Sequence, residues 1–287
     1  MTPPQRSDSN CIAEDDETGS LRATGHAHHL FHSSRGRVVG FSIAAHFIGT
    51  TQIFQALVLH TTLPQDVGNT PVKPLCKGGT YDEEYIHDYV VQSINGHRYK
   101  LLRGTELNGP WNGKGYGKKF PLAKTMNKLE YNCNLEKKAF ALLDKSCSTN
   151  TPTGPNGTAA LFYHIDIDFD DPELFSAIWE WSEKIREFAV SDDAITKKQV
   201  VYKDKDRNLY EYLNLMRTAI SKIGCADITC RNGDLRKYRA VCLINKDPLK
   251  DGDVVFKAGL GGCKNGETCR NGVCDEFGLC DLSKKAP

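Results

Sequence analysis

Three groups of residues have the types and spacing to do chemistry. His26, His28, His29 and His32 could offer imidazole nitrogens to a transition metal. They sit in a polar, acidic stretch with Glu14, Asp15, Asp16 and Glu17 and no packed surroundings to orient the rings, so the run reads as a solvated tail. Asp166, Asp168 and Asp170 alternate like the opening of a calcium loop. That loop needs Gly at its sixth position and Glu at its twelfth, where this chain has Asp171 and Ala177. The run therefore reads as a solvated segment with a helix cap. The third group is the cysteines. Ten lie from Cys76 onward, in no C-x-x-C pair, and Cys263, Cys269, Cys274 and Cys280 are spaced by five, four and five residues. Structural zinc sites bring their ligands in closer pairs, so these spacings point to five disulfides in an oxidising compartment. Cys11 is left over. A thiolate nucleophile is not expected, and no G-x-S-x-G, phosphate-binding loop or dinucleotide fingerprint occurs.

The 37 Lys and Arg nearly cancel the 36 Asp and Glu. Such a chain has no field to gather nucleic acid or an anionic membrane, and neither is expected as a partner. Val38 to Leu63 contains no charged Asp, Glu, Lys or Arg, and Arg35 and Arg37 precede it. This is the layout of a signal or a membrane anchor, diluted by His46, Gln52, Gln55 and His60. It fits an internal cleaved signal, a retained anchor, or a segment foreign to the mature protein. Export followed by loss of the segment is the reading adopted, with membrane attachment only if residues 38–63 are kept.

The elements that would position any site begin after this. Residues 1–75 read as an N-terminal extension, 76–258 as one globular domain, and 259–287 as a Cys-rich tail. Tyr85, Ile86, Tyr89, Val90 and Ile94 recur at helical spacing, as do Leu135, Ala139 and Leu142. Leu174, Ile178, Trp181, Ile185 and Phe188 make a longer stripe, opened by Asp170, Asp171 and Pro172 as a cap. Leu209, Leu213, Met216, Ile220 and Ile223 predict one more helix. Ala226–Cys230 and Tyr238–Ile244 read as strands around the turn signal Asn232-Gly233, with another strand near Leu161–Ile165. The Arg231–Leu235 string, which contains Asn-Gly-Asp, is taken as that turn and not as an integrin-type loop. Lys197–Asn208 reads as a charged loop. Helices followed by strands predict a layered α+β domain with an antiparallel sheet. The tail has little to bury and is expected to depend on its own two disulfides. Of three possible pairings, Cys263–Cys274 with Cys269–Cys280 is favoured. Asn156-Gly157-Thr158 is the single N-glycosylation sequon found, in a Pro- and Gly-containing loop expected to be exposed.

Several strings in order resemble one family. Ile223-Gly224-Cys225-Ala226, then Cys230, then Ala240-Val241-Cys242 is similar to the signature that closes CAP domains, the module of cysteine-rich secretory proteins and venom allergens. Lys128 to Glu136 resembles a helix of nematode members. Asn95-Gly96-His97-Arg98 fits the family's HNxxR helix, with Ile94 in place of the usual His. Pro248 to Asp253 and the four-cysteine tail resemble the nematode secreted branch. The resemblance implies an α-β-α sandwich, with the remaining disulfide cysteines Cys76, Cys133, Cys147, Cys225, Cys230 and Cys242, and it implies secretion to the extracellular space.

Typical members place two His and two Glu in a cleft that can hold a divalent metal. Carried over position by position, the second His falls on Glu211 and the first near Asn150 or Thr151. The first Glu falls on Ala159, with His164 as the nearby substitute, and the second Glu on Glu183. The resemblance thus implies a degenerate cleft at Glu183, Glu211 and Ala159, with no metal, no cofactor and no catalysis. The implied function is recognition of a host protein receptor in immune or haemostatic modulation. A sterol or fatty-acid carrier is the alternative, and a hydrolase the weaker one.

Overall fold

Asp82 starts the first helical run by accepting a hydrogen bond from the Tyr85 amide at 2.6 Å, in a computed structural model that describes residues 73–113, 117–143, 147–167, 172–232 and 235–284. α1 (Glu83–Tyr85) passes through a π-helical stretch, Ile86–Gln92, into α2 (Ser93–Arg103). The wide turns keep Ile86, Val90, Ile94, Leu101 and Leu102 on the buried side. Gly104 ends the run at φ 62°, ψ 27°, a left-handed cap that a side chain would strain.

Four strands form the main sheet. They are β1 (Glu130–Tyr131), β2 (Ala159–Ile167), β4 (Lys222–Asn232) and β5 (Leu235–Ile244), in the order β1-β4-β5-β2. β2, β5 and β4 are antiparallel, but β1 pairs with β4 in parallel, so the sheet is mixed and not wholly antiparallel as the sequence suggested. Strand alternation divides its two faces. Ala160, Ala226, Val241 and Leu243 pack against Leu135 and Ala139 of α3 (Cys133–Leu142). Leu161, Cys225, Ala240, Cys242 and Ile244 face the main core, which holds Ile94, Trp181 and Leu213. The result is the α-β-α layering. Gly224 is needed where α3 meets β4, because a Cβ there would run into the Asn132 carbonyl and the Glu136 amide.

α4 (Leu174–Glu183) continues into a tight turn, Lys184–Arg186. Its N-cap is Glu173, which makes no side-chain cap bond. The helix thus starts two residues after Pro172, and the expected cap at Asp170 and Asp171 lies outside the described residues. The helix expected through Ile223 stops early. α5 spans only Tyr210–Leu215, after a 3₁₀ stretch Asp204–Leu209. The reason is Arg98, fully buried, which donates to the carbonyls of Asn127, Leu215, Arg217 and Ile220 at 2.6 to 3.3 Å. A guanidinium that collects those carbonyls fixes a turn where the apolar spacing alone would continue a helix. Burial lowers the Arg98 pKa to about 9. Lys197–Asn208 is likewise not a loop. β3 (Gln199–Val201) pairs with β6 (Val254–Lys257), with Val200 buried between flanking lysines.

Disulfides join Cys76 to Cys133, Cys147 to Cys230, and Cys225 to Cys242. In the tail, Cys263 is joined to Cys274 and Cys269 to Cys280, around the hairpin β7 (Val273–Cys274) and β8 (Cys280–Asp281). Staples are not all that holds the tail. Leu279 is 2 % exposed within the main core, and Cys280 exchanges backbone bonds with Met126 and Lys128, both at 2.8 Å. Among the described residues no helix is long and apolar enough to cross a membrane, and residues 38–63 lie outside them, as does the His26–His32 run. Gly233 and Asp234, at the turn between β4 and β5, also lie outside the described residues.

Candidate functional site

The candidate cleft is a cavity of about 600 Å³ between the 150s loop, β2 and α5. Thr151 and Glu211 both line it. Ala160 lines it too, whereas its neighbour Ala159, fully buried, faces the main core. Asn150 is exposed on the loop, and His164 is exposed on β2 beside Phe162, outside this cleft. Burial raises the Glu211 pKa above its ordinary value, against the pull of Lys184 and Arg207. Lys184 is itself bound by Glu180 and Glu187, each at 2.8 Å.

Glu183 does not join Glu211. Its Oε1 lies 3.5 Å from His97 Nε2, and its other oxygen meets Arg186. Successive helical residues point about 100° apart. At the end of α4 it is Lys184, one residue on, whose charge bears on Glu211. The wall of the cleft holds two acids, Glu211 and the exposed Asp204, with Arg207 beside them and the charge of Lys184 acting on Glu211, and it has no imidazole. That set lacks the mixed ligands that repay the desolvation of a zinc-like ion. Among the described residues, the one group of three possible metal ligands within 4.8 Å is Cys263, Cys269 and Cys280, and all three sulfurs are in disulfides.

The position given to Glu183 reveals a cluster that the sequence did not. His97, 6 % exposed, places Nδ1 2.9 Å from Glu106 Oε1 and Nε2 near Glu183, so both ring nitrogens face carboxylates. The Tyr212 hydroxyl donates to Glu106 at 3.3 Å, and its ring stands edge-on to the imidazole. Burial alone would lower the His97 pKa, but the bonds to Glu106 and Glu183 raise it. Burial would raise that of Glu183, and His97 and Arg186 bring it below its ordinary value. The only local signal was a His beside the buried Arg98 in the first helix. This arrangement is a closed ion-pair network, with no cavity among the described pockets that opens onto His97.

The sequon residue Asn156 is exposed in a turn that Gly157 ties to Asp247 by a 3.0 Å bond.

The layered fold and its five disulfides define a three-layer α-β-α module. The profile of the cysteine-rich secretory protein family, CAP, matches residues 91–244, more than half of the chain, and the chain belongs to that family. Three solved structures share the fold. Na-ASP-1 has a TM-score of 0.57 at 20% identity, over 73% of this chain and 50% of that one. BmVAL-1 has 0.55 at 19%, over 72% and 98%. NaASP2, solved with Zn2+, has 0.53 at 20%, over 72% and 100%. This chain thus spans half the length of Na-ASP-1 and nearly all of the other two. A sequence comparison with curated proteins finds no match.

Proposed function

We propose that the chain is a secreted CAP protein that acts by recognising a host cell-surface protein, in immune or haemostatic modulation, without catalysis. The observation that carries this reading is the content of the cleft, where Glu211 and Asp204 stand with Arg207 in the wall, Lys184 acts on Glu211, and no imidazole is present. Hydrolytic chemistry of the metal or imidazole kind would find neither a histidine in this wall nor acids free of the adjacent Arg207. Five disulfides support export, because such bridges persist in oxidising compartments. On this reading Asn156 carries a glycan.

Binding of the labelled full chain to intact host cells, run beside a labelled-sterol assay, tests the proposal. Saturable binding that protease treatment of the cells abolishes, with no sterol retained, is expected. Sterol retention without cell binding would replace this reading with the carrier. Calorimetric titration with zinc adds a check on the cleft: heat that disappears in Glu211→Gln would reopen metal chemistry.

A further inference from the structure

A second groove, of about 470 Å³, runs between the first helical run, β1 and the C-terminal tail, and it shares no lining residue with the Glu211 cleft. Its walls are largely apolar. Ile86, Val91 and Tyr99 come from the helical run, Leu129 precedes β1, and Phe277 and Leu279 come from the tail. Tyr99 and Phe277 meet edge to face at 5.6 Å, and Phe277 stays 49 % exposed although the tail is otherwise well packed here. The volume is that of a small-molecule site, for which roughly 300–1,000 Å³ is usual.

The charges around these walls are unbalanced. Glu83, Glu130, Asp275 and Glu276 line the groove against Lys128, while His87 is turned to Asp88 at 2.7 Å. Asp275 is the informative one. It is only 9 % exposed, and its Oδ1 holds the tail turn by accepting from the amides of Phe277 and Leu279, both at 2.9 Å. Its Oδ2 has no hydrogen-bond partner. Lys128 stands 3.8 Å away, beyond hydrogen-bond reach, and is shared with Asp281 at 4.0 Å. A buried carboxylate oxygen left without a donor is costly, and here it belongs to a residue in the wall of a cavity.

We infer that this groove binds an amphiphilic cation, with a protonated amine donating to Asp275 and an apolar body lying along Tyr99 and Phe277. An anionic amphiphile would meet four carboxylates and one ammonium. A neutral one would gain the walls but not the charge.

Calorimetric titration of the full chain with decylamine, decanoate and decanol, all below micelle formation, tests this. Decylammonium is expected to bind saturably at one site, at least about tenfold more tightly than the other two probes, as a charge-assisted bond implies. Asp275→Asn keeps the Oδ1 acceptor of the turn and should weaken decylammonium about tenfold. Gly96 also lines the groove, and a Cβ there meets nothing within 4 Å. Gly96→Leu should therefore fill the groove while preserving the helix, with unchanged circular dichroism and melting no lower than that of the wild type, and should abolish binding. No saturable heat with decylammonium, equal affinity for decanoate or decanol, or wild-type binding by either variant would overturn the inference. Because the two cavities share no wall, such a failure would leave the protein-recognition reading untouched.

Discussion

Glu183 and Glu211 belong to two helices that pack on each other, yet their surroundings treat the same carboxylate in opposite ways. Glu183 meets an imidazole whose other nitrogen is held by Glu106, and its charge is favoured. Glu211 is buried beside a lysine already engaged by two other acids, and its charge is disfavoured. Burial opposes ionisation at both positions, so the difference comes from direct partners. One network is closed and serves the fold. The other opens on a cavity and is free to meet something outside the protein.

The largest effect should come from opening the closed network. His97→Leu leaves Glu106 buried with Tyr212 as its remaining partner, and removal of one member of a buried pair costs about 3 kcal/mol. Urea unfolding should show that loss. Replacing His97, Glu106 and Tyr212 together with Leu, Leu and Phe should recover most of it, because no uncompensated charge remains at Glu106. Equal losses in the single and triple variants would mean that packing, not charge, makes the site valuable.

The pH dependence sharpens the contrast. The His97 pKa is raised from 6.5, so its contribution is complete below pH 6.5 and is lost as pH rises through the native value. The Glu183 pKa is lowered from 4.5, so its contribution is complete above pH 4.5 and is lost as pH falls through the native value. Both are in full force only between about pH 4.5 and 6.5. Urea midpoints of the wild type should therefore fall between pH 5.5 and 8.5 relative to those of His97→Leu. Parallel profiles for the two proteins would remove the ion pair as the cause.

Much of this fold was legible because alternation and turn chemistry are local. Tyr238–Ile244 reads as a strand from its own residues, and the strings around Cys225 and Cys242 point to the family. What was not legible depends on distant partners. The helix ending at Leu215 looks continuous through Ile223 until Arg98, over a hundred residues earlier, takes the carbonyls that would extend it. Glu183 was placed in the cleft as the Glu that follows Trp181 in the helix, but the fold sets its carboxylate against His97 and Arg186. Glu106 follows Gly104 in an irregular stretch, and no spacing rule reports that its carboxylate reaches back to an imidazole. The turn at Asp275 was not read from the sequence, and the orphaned oxygen of Asp275 appears only once Lys128 and the first helix are beside it.

The smallest effect should have the opposite sign. Glu211 has a native pKa raised above 4.5, so the folded state holds its proton more tightly than the unfolded chain. Its contribution to stability is therefore fully present below pH 4.5 and is lost as pH rises through the native value. Glu211→Gln removes the charged form that the cleft disfavours. At pH 7 the variant should be more stable than the wild type by about 0.5 kcal/mol, the scale of substitutions outside a packed core, and the gain should shrink toward pH 4. Lys184 and Arg207 work against this gain, but Lys184 is shared with Glu180 and Glu187, which leaves burial dominant. Denaturant midpoints at pH 4.5, 6 and 7.5 measure the difference. A Glu211→Gln variant less stable than the wild type at pH 7.5, by a margin that shrinks toward pH 4.5, would show that Glu211 is held by an ion pair after all. The two carboxylates would then be two versions of one arrangement.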